Sequence, residues 1–458
     1  MTYKFSKIPL EVKHIETKHR KIITKIPPEE TISVIKNLEQ FEPQSMSVEL
    51  PVLWDHAQGY QVFDASGNIW IDFSSGIFVA NIGHSHKHVK ETIQNYLDNN
   101  LLHNYYFPSH IRSLLVKKLI EITPQYLNTI FLLTTGSEST ECALKLARIH
   151  GKKINPKKIG IISFIGSMHG KTLGALMMGG KSEDKHWISN LDSDIHHIQF
   201  PYDQTCQWGN QSNHKCNYEC FDKSLESLKN AGVDLSTIAA FMIESYQGWG
   251  AMFFPKDYVQ RLSSWAKENN VLVIFDEIQS GFGRTGKLFA FEHYDVQPDL
   301  VCCGKGISSS LPLSAVIGRR EIMDVDPSLN STHGGNPLCC AATLANLEVL
   351  EDENLVFESA RKEKIITSEL SKIQEKFPNN IIDICGRGMA FAIHIKNSKT
   401  KNFDIELTDK IIEKCMQKGV LMVRTGSGTI KIGPPLNIPD DALKEGLTVI
   451  HDAIKESI

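Results

Sequence analysis

What this chain lacks narrows its class before any motif is read. No apolar run approaches the ~18 to 20 residues of a membrane-spanning helix, and the chain begins MTYKFSK, with lysines and no apolar signal core. The sequence therefore leads to an expectation of a cytoplasmic protein with no membrane partner. Ten cysteines among 458 residues are too sparse for a disulfide framework, so most are expected reduced and packed. A formal net charge of −4 supplies no basic excess for a polyanion, which argues against nucleic acid as a partner. Internal repeats and low-complexity tracts are absent too.

What is there points to a large globular protein. A length of 458 residues with 41% hydrophobic content exceeds one ordinary core and suggests a large domain with an accessory one. The first 26 residues carry seven Lys or Arg against Glu11 and Glu16, which reads as a solvated or partner-embracing arm. In GYQVFDASGNIWIDF (59–73), two alternating runs flank Ser66-Gly67-Asn68, a hairpin signal for a small N-terminal sheet. From about His88 the pattern changes to short apolar runs alternating with helical ones: TIFLLTT (129–135) before STECALKLARIH (139–150), then KIGIISF (158–164), AAFMIES (239–245) and VLVIFDE (271–277). This rhythm predicts an α/β fold, a mostly parallel sheet flanked by helices, with ligands at the carboxyl ends of strands. A helical stretch of small residues (339–351) then leads into a final α+β segment.

Two residues at such strand ends carry the most chemistry. Val271 to Phe275 run into Asp276, Leu300 to Cys303 run into Gly304 and Lys305, and Lys305 follows Asp276 by 29 positions. In isolation a carboxylate and an amine so placed read as a salt bridge. Pyridoxal phosphate (PLP), however, needs a lysine amine for its Schiff base and a carboxylate to keep its pyridine nitrogen protonated, and this chain offers both. Separately, Thr135-Gly136-Ser137-Glu138 joins an apolar strand to an amphipathic helix. Such a turn aims backbone N–H groups at an anion, or else Ser137 or Ser139 simply caps the helix.

The stretch from Asp276 to Arg319, with several fixed glycines, resembles the signature of the class III PLP-dependent aminotransferases. Matches to DFSSGIFVANIGHSH (72–86) and IKIGPPLNI (430–438) extend the resemblance over about the whole chain beyond its first few dozen residues. It implies PLP fold type I: an N-terminal arm and small-domain segment over 1–87, a large cofactor-binding domain over 88–347 and a C-terminal small domain over 348–458. It implies further that Lys305 and Asp276 are catalytic, that Gly136 and Ser137 hold the phosphate, that Ile278 packs on one ring face and that Gln279 bonds near the ring hydroxyl. Thr332 resembles a threonine that reaches the phosphate from a neighbouring subunit, so a homodimer with a shared active site is expected. Glu244 either meets the pocket or is a solvated strand end.

Two departures from the pattern stand out. Relatives place Tyr or Phe before a His-Gly pair, whereas here Met168 precedes His169-Gly170; a thioether packs on a ring less rigidly. Relatives read R-x-x-P-P-L near the C-terminus, whereas here Lys431 leads Ile432-Gly433-Pro434-Pro435-Leu436, without the bidentate fork that grips a carboxylate. Arg424 is the substitute candidate, and Arg284 in GFGRTG reads as structural. The expected activity is ping-pong transfer of an amino group from an ω-amino acid or related amine to a 2-oxo acid. A racemase, aminomutase or decarboxylase would use the same cofactor residues. Finally, Cys206, His214, Cys216 and Cys220 lie in one polar stretch, but their spacings lack the paired C-x-x-C of closed zinc sites. They read as incidental cysteines of a surface loop, with no metal.

Overall fold

The computed structural model describes residues 5–46, 50–208 and 215–458. Its centre is a seven-stranded sheet built from β1 (Thr129–Leu133), β2 (Gly160–Phe164), β3 (Ile195–Ile198), β4 (Ile238–Glu244), β5 (Leu272–Asp276), β6 (Leu300–Cys303) and β7 (Ser314–Gly318). The spatial order is β1-β7-β6-β5-β4-β2-β3. β7 runs antiparallel to both of its neighbours, and the pairs β6–β5, β5–β4, β4–β2 and β2–β3 are parallel. β5 and β6 are buried along their whole length, as expected of strands covered on both faces.

One face packs on the helix Gly136–Ile154, where Ala143, Leu146 and Ala147 meet Ile161, Met242 and Ile274. The other face carries Phe164, Phe241 and Phe275 against Tyr258 and Leu262 of the helix Lys256–Glu268. Each of the larger aliphatic and phenylalanine side chains here, fully buried, contributes ~1.5–3 kcal/mol. This two-sided packing holds the carboxyl ends of β4, β5 and β6 in fixed register, and those ends carry the site.

The chain's two ends fold together. Gln61–Phe63 and Ile69–Asp72 form the expected hairpin, and Val420–Leu421 adds to Ile69–Asp72 in parallel. A four-stranded antiparallel sheet of Ile381–Arg387, Ala390–Ile395, Thr429–Ile432 and Val423–Arg424 completes this layer. The basic N-terminal arm is bound to its own chain: Lys18 pairs with Asp441 at 2.7 Å and Arg20 with Glu445 at 2.7 Å, both on the last helix, Asp440–Ser457. Lys4 of that arm lies outside the described residues. Among the described residues no helix is long and apolar enough to cross a membrane.

Candidate active site

The strand ends meet at a cavity of about 480 Å³, lined by Asp276, Ile278 and Gln279 after β5, Lys305 after β6, Glu244 at the end of β4, and Gly136 and Ser137 at the start of the helix after β1. Met168, His169, Arg424 and Lys431 line it as well. Of the residues expected to contact the cofactor or substrate, Thr332 is elsewhere: it is exposed and does not line the cavity of this chain.

Lys305 sits at the start of a single tight turn, with φ at +45°. That left-handed backbone costs a non-glycine residue of order 1–2 kcal/mol, and the turn holds the side chain in the cavity. Burial holds its amine below the usual lysine range, against the opposing pull of Asp276 and Glu244. A depressed pKa makes the neutral, nucleophilic amine more available.

Asp276 is nearly buried and is built in from two sides. Its Oδ2 lies 2.9 Å from Nδ1 of His169, and its Oδ1 accepts from the backbone N–H of Ile278 at 3.1 Å. Nε2 of His169 in turn lies 3.1 Å from Ser163 Oγ. This link joins residues 107 apart and has no local signature in the sequence. Glu244 is the Cα partner of Asp276 across β4 and β5. Its carboxylate accepts from the backbone N–H groups of Met168 and Gly248, both at 3.1 Å. Burial pushes its pKa up to about 7, which a nearby His169 opposes and Asp276 reinforces.

At the phosphate-type turn the cap is Thr135, not Ser137 or Ser139. Its hydroxyl accepts from Glu138 N–H while the Glu138 carboxylate accepts from the Thr135 N–H, a full capping box. Ser137 is thereby left facing the cavity, where its Oγ accepts from the backbone N–H of Lys171 at 3.1 Å. At Gly136 a Cβ would lie 3.1 Å from the Ile278 side chain, which would have to give by a few tenths of an ångström.

Lys431 is almost entirely buried. Its Nζ donates to Oε1 of Gln279 and lies 4.1 Å from the centroid of the Phe78 ring. Tyr246 donates to the same Gln279 oxygen at 3.1 Å. Burial, with Lys305 adding repulsion, drives the Lys431 amine well below its usual range. Arg424 lines the cavity, but its guanidinium forms a two-point pair with Asp409, Nε to Oδ1 at 2.8 Å and Nη2 to Oδ2 at 2.9 Å. Arg284 is structural: it is fully buried and donates to Pro434 O and to Asn81 Oδ1.

Sequence reasoning missed two features here. Glu277, beside Asp276, is fully buried and accepts from Ser245, Ser280 and the N–H groups of Ala290 and Phe291. Ser75 to Phe78 form a left-handed turn, with φ between +48° and +64°, which puts Ile77 in the cavity and Phe78 under Lys431. The run Ser74-Ser75-Gly76 hints at a bend but not at positive φ for the three non-glycine residues Ser75, Ile77 and Phe78. The cysteines also depart from expectation. Cys216 and Cys220 are buried, and the Sγ atoms of Cys206, Cys216 and Cys220 all lie within 4.8 Å of one another. His214 lies outside the described residues.

The donor set fits PLP: one amine of lowered basicity, one carboxylate fixed by a histidine, and a helix N-terminus with a free-facing hydroxyl, all around one cavity. Comparison with known proteins agrees. Residues 44–454 match the family described as Aminotransferase class-III. The chain is 32% identical to a 4-aminobutyrate aminotransferase of Mycobacterium leprae, over 94% of this chain and 97% of that protein. It is 30% identical to an alanine/serine racemase of Pyrococcus horikoshii, over 99% and 96% respectively. An ornithine aminotransferase of Toxoplasma gondii, solved with PLP at partial occupancy in its active site, superposes with a TM-score of 0.80 at 27% identity, covering 94% of this chain and 97% of that one. The chain belongs to the class III aminotransferases, PLP-dependent enzymes of fold type I.

Proposed function

We propose that this enzyme moves an amino group from an ω-amino acid or related amine to a 2-oxo acid by a ping-pong mechanism. The observation that carries this reading is the convergence of Lys305 and the His169-backed Asp276 on one cavity that also contains a buried lysine, Lys431. When bound, PLP supplies an electron sink for the substrate carbon, provided its pyridine nitrogen stays protonated. Asp276 is the carboxylate that favours that protonated nitrogen, and His169 and the Ile278 N–H keep it oriented. Gly136 and Ser137 hold the phosphate, and Ile278 and Met168 are the apolar groups assigned to the two ring faces. Lys305 Nζ would hold the cofactor and, once displaced, would carry the proton lost by the substrate carbon to the C4′ position of the cofactor rather than back to that carbon. After the carbonyl product leaves, the same residues act in the reverse order on the 2-oxo acid.

Lys431 is the group assigned to a substrate carboxylate. Arg424 is the weaker candidate, since Asp409 already occupies its fork. The exposed position of Thr332 supports a homodimer in which Thr332 of the second copy completes the phosphate site. The domain limits 1–87, 88–347 and 348–458 follow the same reading, as does a cytoplasmic location.

The similarity to an alanine/serine racemase favours racemisation as a second reading. One experiment separates the two. Purified enzyme with PLP is given a panel of ω-amino acids, diamines and single-enantiomer α-amino acids, with and without a 2-oxo acid. Transamination yields a new amino acid only when both partners are present. Loss of optical activity with no 2-oxo acid added, and no amino transfer with any pair, overturns the proposal in favour of a racemase.

A further inference from the structure

The geometry points to a zinc site, separate from the active site, formed by the thiolates of Cys206, Cys216 and Cys220. Cys206 lies in the loop after β3, Cys216 lies just before the helix Tyr218–Asn230, and Cys220 lies in its first turn. Tertiary packing brings these three together although neither sequence interval, ten residues and four, follows a C-x-x-C pattern. All three Sγ atoms fall within 4.8 Å of one another. With Zn–S bonds of ~2.3 Å, a tetrahedral ion sets its sulfurs ~3.8 Å apart. The cluster therefore closes on an ion by shifts of ~1 Å or less, within side-chain rotation.

The surroundings fit a soft cation better than three bare thiols. Cys216 and Cys220 are buried and Cys206 is half-buried. A divalent ion binds thiols in their deprotonated form and releases the protons. The N-terminal end of the helix Tyr218–Asn230 favours the resulting negative charge. The cluster is also well anchored. The backbone N–H of Cys216 donates to Asp203 Oδ1 at 2.8 Å, and the adjacent Tyr202 reaches the four-stranded sheet through Asp383 Oδ2 at 3.2 Å and His394 Nδ1 at 3.0 Å. Zinc here has a structural role: it ties the loop after β3 to the helix that follows, and takes no part in amino transfer. An odd number of thiols argues against a purely disulfide function, since one bridge leaves a thiol over.

The test uses the full chain with PLP, purified under reducing conditions without chelator and dialysed into metal-free buffer. Elemental analysis is expected to find about one zinc per chain, in line with structural thiolate sites that retain their ion. Cadmium exchanged into the site is expected to give an ultraviolet thiolate-to-metal charge-transfer band. Zinc content and the band are both expected to be lost in Cys216→Ser/Cys220→Ser, while the cofactor spectrum is kept. If that double variant does not fold, the partly exposed Cys206→Ser is used, with loss or marked weakening of the cadmium band as the readout. Three results overturn the inference: no zinc and no cadmium band in the reduced protein, zinc retained equally in the variants, or a disulfide between two of the three cysteines in freshly isolated, metal-free protein.

Discussion

Oδ2 of Asp276 lies 2.9 Å from Nδ1 of His169, and both side chains are shielded almost completely from water. A neutral ring that donates from Nδ1 accepts at Nε2, where Ser163 Oγ stands at 3.1 Å. The pair thus fixes the carboxylate that faces the cofactor ring, and His169 acts through Asp276 as a positioning residue. His169→Phe is expected to lower kcat about ten- to a hundredfold, the range of one charge-assisted hydrogen bond at ~1.5–3 kcal/mol. KM for the amine donor is expected to change little, and His169→Asn, which keeps a donor, to recover part of the loss. Equal kcat in all three proteins would remove His169 from this role.

Lys431 is tested by a split between KM and the cofactor spectrum. Lys431→Ala is expected to raise KM for a carboxylate-bearing substrate about ten- to a hundredfold, again ~1.5–3 kcal/mol, with the spectrum unchanged. Because burial lowers the pKa of this amine, less of it is charged as pH rises, so the wild-type KM is expected to climb with pH while that of the variant stays flatter. Unchanged KM for donor and acceptor alike would move carboxylate recognition away from Lys431.

Glu244 gives a pH dependence with a definite sign. Its pKa in the fold is raised from the ordinary 4.5 to about 7, so over that interval the folded chain holds a proton that the unfolded chain has lost. Stability then falls as pH rises across the interval. Glu244→Gln removes this titration. Denaturation midpoints of wild type and variant are expected to diverge from pH 4.5 to 7, the wild type losing ground. Parallel curves would show that Glu244 is ionised throughout.

Glu277→Ala tests the support beneath the site. The change strands two buried hydroxyls and two buried N–H groups. A destabilisation of about 3 kcal/mol or more is expected in denaturant titration, at ~1–3 kcal/mol for each unsatisfied group. A loss under 1 kcal/mol would mean that water or repacking satisfies them.

The sequence made the strands that carry the site readable because each is a short, fully apolar run ending at a polar residue. β7 was harder to place, since a buried strand reads alike whether parallel or antiparallel, and β3, with the sequence IHHI, carries two histidines that break the apolar pattern. Lys305 and Asp276 were legible from their strand ends and their motif. The partners that tune them were not: His169 to Asp276, Lys431 to Gln279, Arg424 to Asp409 and the three cysteines are all joined by tertiary packing, which leaves no local spacing to read. The helix cap shows a finer limit, because Thr135, Ser137 and Ser139 are all good capping residues and only the backbone's entry angle selects the first.

Lys305 is the residue assigned to hold the cofactor, and borohydride reduction followed by peptide mapping tests that assignment most directly. In the wild-type enzyme with PLP, the phosphopyridoxyl group is expected on the peptide containing Lys305 and on no other, and Lys305→Ala is expected to carry no label and show no turnover. A label on a different lysine, or turnover retained by Lys305→Ala, would contradict the account.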